Sequence, residues 1–110
     1  MKIKEITSDY ALFDDGTKLS SYHDQDCCEN VYADFEQLKT TAIENEEFTY
    51  EDLLQMQGIE DTGVKIKGYL IPCYNSQNGY YSSNLEMVVE SPNKPTVKID
   101  VSNFVEDQIN

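Results

Sequence analysis

Two dipeptides divide this chain into short reversing segments. Asp15-Gly16 lies between the β-prone runs 9–13 and 17–22, and Asn78-Gly79 lies between 63–74 and 80–90. Glycine accepts the positive φ that a two-residue turn demands, so Asp-Gly and Asn-Gly between such runs signal hairpins. Residues 2–6, KIKEI, add a short strand, and the first three strands are expected to form a meander. Leu85, Met87 and Val89 alternate in 80–90, and Thr96, Val97, Ile99 and Val101 mark a last strand after the Ser91–Pro95 turn.

One segment breaks the strand pattern with a helix start. Thr49 is a capping residue, Asp52 sits at the third helical position, and Phe48 and Leu53 occupy the hydrophobic-staple positions. Gly58 reads as a left-handed stop, so the helix is expected at about 50–57. Residues 30–38 carry two periods at once: Val31, Ala33 and Phe35 alternate, while Val31, Phe35 and Leu38 recur at helical spacing. The Val, Tyr and Phe content favours strand there. Residues 63–74 read as one long strand, with Pro72 forcing an end, an edge or a bulge. Ser102 is expected to cap a short helical turn toward Ile109.

The expected fold is therefore α+β, a mostly antiparallel sheet of five to seven strands with one short helix packed on it. With 110 residues, the chain is expected to form a single domain, 1–110. The apolar fraction is only 39%, but 8 Tyr and 4 Phe set the chain apart from disordered acidic sequences.

Charge narrows the partners. The net charge is −13, and all eight basic residues are Lys. Without Arg, and with this field, nucleic acid and anionic membrane are disfavoured as partners, and a basic protein surface is favoured. Between Leu19 and Asp61 there are 12 acidic residues and one Lys, a net of −11; between Thr62 and Val101 there are 4 Lys and 3 acids, a net of +1. The acids at Glu44, Glu46, Glu47, Glu51 and Asp52 are the expected partner-binding ridge. No apolar run reaches the ~18 residues of a membrane span, and no signal-peptide core is evident at the start. A cytoplasmic location is expected.

Two clusters could carry chemistry. Tyr22 to Glu29 holds the only His and two of the three Cys. His23, Asp24, Asp26, Cys27 and Cys28 are all metal-ligating types, but adjacent cysteines do not match the spaced pairs of zinc sites. A Cys27–His23 nucleophile would be opposed by the surrounding carboxylates, which disfavour thiolate. Small buried thiols in an acidic turn are the plainer reading. No cofactor is expected. The second cluster, Tyr74, Asn75, Gln77, Asn78, Tyr80 and Tyr81, is either a hairpin with cross-strand Tyr pairs or an alternative recognition surface. Phosphate loops, nucleophile elbows and paired-His motifs are absent from the sequence.

Residues 13–31, FDDGTKLSSYHDQDCCENV, resemble the core of a family of small phage and prophage proteins whose pattern ends in YHDQDCCE-x-V. The IPCYN and NGYYS segments are similar to the later part of some members. The resemblance implies a small phage-related protein without an established enzyme activity, and it assigns no site residues. Together these readings give a non-enzymatic accessory protein that binds a host or phage protein through an acidic face. One concrete form is a nucleic-acid-mimic inhibitor, such as an anti-CRISPR or other anti-defence protein. The alternative is a small metal- or ligand-binding domain built on His23–Cys28.

Overall fold

The computed structural model describes residues 1–23, 31–75 and 84–107. Cys27, Cys28, Asp24, Asp26, Gln77, Asn78, Tyr80 and Tyr81 lie outside these residues, and so does the Asn78-Gly79 turn. The order of elements is β1 (Ile3–Ile6), β2 (Tyr10–Phe13), β3 (Lys18–Tyr22), β4 (Val31–Ala33), the 3-10 helices η1 (Phe35–Leu38) and η2 (Ala42–Asn45), and α1 (Tyr50–Leu54). Then come β5 (Gln57–Ile59), β6 (Gly63–Ile66), β7 (Tyr69–Asn75), β8 (Glu86–Glu90), β9 (Val97–Asp100), the 3-10 helix η3 (Ser102–Phe104) and β10 (Glu106–Asp107).

The fold is α+β and mostly antiparallel, with one short α-helix among the described residues. Its strands form two sheets instead of one of five to seven strands. The first runs β1-β2-β3-β8-β9. The second is built on β7, which takes β6 along its first half, β4 along its second half, and β10 in parallel at Tyr74 and Asn75; β5 pairs outside β6. One core joins both sheets. Phe13, Leu19, Met87 and Val89 come from the first, Val64, Ile66, Ile71 and Cys73 from the second, Phe35, Leu38, Ile43 and Leu53 from the helices, and Phe48 from the link between η2 and α1. Phe13 and Phe48 meet edge to face, with ring centroids 5.6 Å apart.

The β1–β3 meander forms as expected, with its second turn at Asp14–Gly16. Gly16 takes φ 92°, and Asp15 Oδ1 accepts from Thr17 N at 2.9 Å. The capping box at Thr49 also forms: Thr49 Oγ1 accepts from Asp52 N, and Asp52 Oδ2 accepts from Thr49 N. Phe48 and Leu53 are both buried.

Other expectations change. Helix α1 ends at Leu54, not residue 57, and Gly58 is a strand residue of β5 outside the left-handed region. Its lack of a side chain serves packing, since the Phe104 ring lies where a Cβ would sit. Residues 30–38 obey both of their periods in turn. Val31 and Ala33 are buried on one side of β4; then Asp34 caps η1, whose buried Phe35 and Leu38 stand three residues apart, the 3-10 repeat.

The long strand expected at 63–74 is a hairpin. Lys67 and Gly68 turn it with φ 50° and 88°, the two positive values of a type I′ turn. Pro72 is tolerated where the β7 ladder passes from β6 to β4. Ser102 does not cap η3: Val101 holds that position, while the Ser102 hydroxyl donates to Asp100 Oδ1 at 2.6 Å and accepts from Leu85 N at 3.1 Å. No helix among the described residues is long and apolar enough to cross a membrane.

Candidate acidic binding groove

The turn between β1 and β2 is set by Thr7, whose Oγ1 accepts from Asp9 N at 3.1 Å and Tyr10 N at 3.2 Å. That turn is fastened to the helical segment by Phe35 N, which donates to Ser8 O. On the other side, Asp34 N donates to Pro72 O at 2.9 Å, and Asp34 Oδ1 accepts from Glu36 N at 3.1 Å. These ties bring the β1–β2 turn, the end of β3, β4 and η1 together where the two sheets meet.

A groove of about 610 Å³ opens at this seam, lined by Ser8, Asp9, Ser21, Tyr32, Ala33, Asp34 and Glu36. Among the described residues that line it, three are acidic and none is a lysine. Tyr32 is 38% exposed, and its ring centroid lies 5.5 Å from that of Tyr74. Burial, and then the neighbouring carboxylates of Glu106 and Asp34, push the Tyr74 hydroxyl above its ordinary range. Tyr74 therefore sits beside the acidic groove, so one of the sequence's tyrosine candidates joins two acids from its acidic segment. Asn75, next to it, is buried.

Glu36 pairs with Lys39 at 3.5 Å, but both side chains are 55% exposed, so the pair is weak and leaves most of the negative charge in place. A second groove of about 410 Å³ has a mixed lining that includes Ile3, Lys4, Glu5, Lys39 and Glu44. Charges of both signs there give no single preference.

Three of the acids expected to form a ridge also make contacts within the chain. Glu46 pairs with Lys67 Nζ at 3.0 Å and accepts from the Tyr69 hydroxyl at 3.4 Å. Glu46 is accordingly the leading cause that holds the Lys67 ammonium above its usual range. Glu47 accepts from the Met1 α-amino group at 2.7 Å and raises that group's pKa. Asp52 is spent on the capping box. Glu51 is exposed on α1 and Glu44 lies in the mixed groove.

His23 follows β3, its Nδ1 against Asn84 O. Among the described residues, no three His, Cys, Asp or Glu side chains are grouped closely enough to hold a metal ion. Cys73 is buried, and loss of hydration pushes its thiol up to about 12.

Asp9, Tyr32, Asp34 and Glu36 were not among the candidates the sequence suggested. Asp34 and Glu36 carried one signal, membership of the acidic segment. Asp9 carried none, because its place in the groove depends on long-range packing, including the Phe35–Ser8 hydrogen bond.

Fold and groove together define an α+β domain of two small sheets on one core, with a carboxylate-lined groove at their junction. The chain belongs to the DUF7448 family, described as a domain of unknown function, whose profile matches residues 1–87. The match spans the groove-lining residues and ends inside β8. The chain matches no curated protein and no solved structure.

Proposed function

We propose that this is a non-enzymatic binding protein whose groove at Asp9, Asp34 and Glu36 receives a basic segment of a partner protein. The observation that carries this reading is that three acidic residues and the partly exposed Tyr32, with no lysine among the described residues, line one groove. A Lys or Arg side chain entering it would meet acceptors on two walls, with Tyr32 as a face for cation–π contact. The surrounding charge of −13 would steer such a partner toward the protein. The resemblance to phage and prophage proteins supports an accessory role inside an infected cell. A partner whose basic surface normally holds nucleic acid, as in inhibition of a host defence, is the most concrete form of that role.

The test uses the isosteric triple variant Asp9→Asn, Asp34→Asn, Glu36→Gln. Asparagine remains a good helix cap, so η1 keeps its start while the groove loses its charge. Wild type and variant are used as bait in host lysate at two salt concentrations, and association rates are measured for whatever is captured. The wild type should capture a basic protein, with an association rate that falls as salt rises. The variant should associate at least about tenfold more slowly at low salt, as loss of steering does. Equal rates for both proteins, insensitive to salt, would remove the groove from consideration.

A further inference from the structure

The first sheet ends in two edges, β1 and β9. An edge strand leaves a row of backbone donors and acceptors open to another chain. β1 is blunted by a register shift between Ile3 and Glu5. β9 is regular: all four of its residues pair in sequence with β8, from Val97 with Val89 to Asp100 with Glu86. On its far side no strand pairs among the described residues.

The alternation of β9 says which groups face outward. Val101 N donates to Leu85 O at 2.9 Å, in register with the β8–β9 ladder. In an antiparallel ladder the bonded pairs alternate, so Val97, Ile99 and Val101 turn their backbone groups toward β8. Lys98 and Asp100 therefore turn theirs toward the open edge. Their side chains are exposed on the outer face of the sheet, Lys98 lying over the Tyr22 ring, while Val97 and Ile99 are half-buried against the core.

We propose that the β9 edge pairs with the same edge of a second copy about a two-fold axis. Lys98 then stands opposite the partner's Asp100, and Asp100 opposite the partner's Lys98. Three features agree on this arrangement. A two-fold contact is self-complementary, so one strand must carry both halves of each pair, and β9 carries one charge of each sign two residues apart. Centring the axis on Ile99 makes each Lys98–Asp100 couple a hydrogen-bonded pair, giving about four backbone bonds. Moving the strands by one step in either direction, with faces preserved, would set Lys98 against the partner's Lys98 or Asp100 against the partner's Asp100. Like charges directly opposite are destabilising, so charge selects the register. At the centre, the two Ile99 side chains would extend the apolar inner face across the junction.

A contact four residues long is small and falls in the weak, transient class. It should appear as a monomer–dimer equilibrium between about 10 µM and 1 mM. Sedimentation equilibrium on the full chain tests it, in about 300 mM NaCl to screen the mutual repulsion of two strongly acidic copies.

Wild type should dimerise, Lys98→Asp should weaken dimerisation at least about tenfold, and the swap Lys98→Asp with Asp100→Lys should restore it to within about threefold. Lys98→Pro removes a donor that points only to the open edge, so it should abolish the dimer while the β8 ladder stays intact. Thermal unfolding of each variant checks the fold, and Lys98→Asp leaves the backbone chemistry unchanged should the proline variant not fold. A wild type that stays monomeric to 1 mM would overturn the proposal. So would a dimer that Lys98→Asp leaves as tight as wild type, or growth to species beyond the dimer.

Discussion

Replacing Gly58 with alanine would drive a methyl group into the ring of Phe104. An ideal Cβ on Gly58 would lie 2.2 Å from two of the ring carbons and 2.5 Å from a third. Carbon atoms rest about 3.5–4.0 Å apart, so the ring must retreat by more than about 1 Å. Phe104 is half-buried against the core, and pushing it outward gives up part of that contact. Overpacking of this kind costs about 1–3 kcal/mol. For a chain of this length that lowers Tm by roughly 4–12 °C.

A glycine needed for a left-handed helix stop would also resist alanine, by about 1 kcal/mol, so the single variant does not separate the two explanations. A double-mutant cycle with Phe104→Ala does. If the ring is the obstacle, the alanine at 58 becomes nearly neutral once the ring is gone, and the coupling energy reaches about 1 kcal/mol or more. Urea unfolding followed by circular dichroism on the four proteins measures it. A Gly58→Ala cost that is the same, within about 0.5 kcal/mol, with and without the ring would refute the packing argument.

Three further outcomes are expected. Thr49→Ala should cost about 1 kcal/mol in urea unfolding, because it removes the side-chain acceptor for Asp52 N at the start of α1, whereas Thr49→Ser should be close to neutral. Cys73 should resist alkylation in the native protein, since its buried thiol ionises only at about 12. An unfolded thiol ionises near ~8.5, so the unfolded state loses this proton first and stability should fall as pH rises from about 9 toward 12. Comparing the pH slopes of wild type and Cys73→Ala isolates that contribution, which approaches about 1.4 kcal/mol per pH unit. Elemental analysis should find no stoichiometric zinc in the purified protein, and chelator should leave Tm unchanged; equimolar zinc whose removal unfolds the chain would instead place a metal site in the His23–Cys28 cluster.

The sequence determined the features that depend on atoms only a few residues apart. Asp15-Gly16 closed its turn because Gly16 accepts positive φ and Asp15 reaches Thr17 N two residues on. Thr49 and Asp52 completed their capping box because both bonds lie within one helical turn. The excess of acid and the alternation of Val31 with Ala33 were equally plain.

What the tertiary structure decided are choices between local options of similar energy. Lys67 takes the left-handed region, a cost few sequences announce, and so an apolar run of strand length became two strands. Gly58 became a strand residue because Phe104, 46 positions later, lies against it. Glu46 and Glu47, in the acidic ridge, pair with Lys67 and the Met1 amino group, partners 21 and 46 residues away. The groove formed elsewhere, because Phe35 N binds Ser8 O and draws Asp9 toward Asp34. A carboxylate's charge is written in the sequence, but whether it pairs with a cation of its own chain depends on which distant residue folding brings within about 4 Å of it.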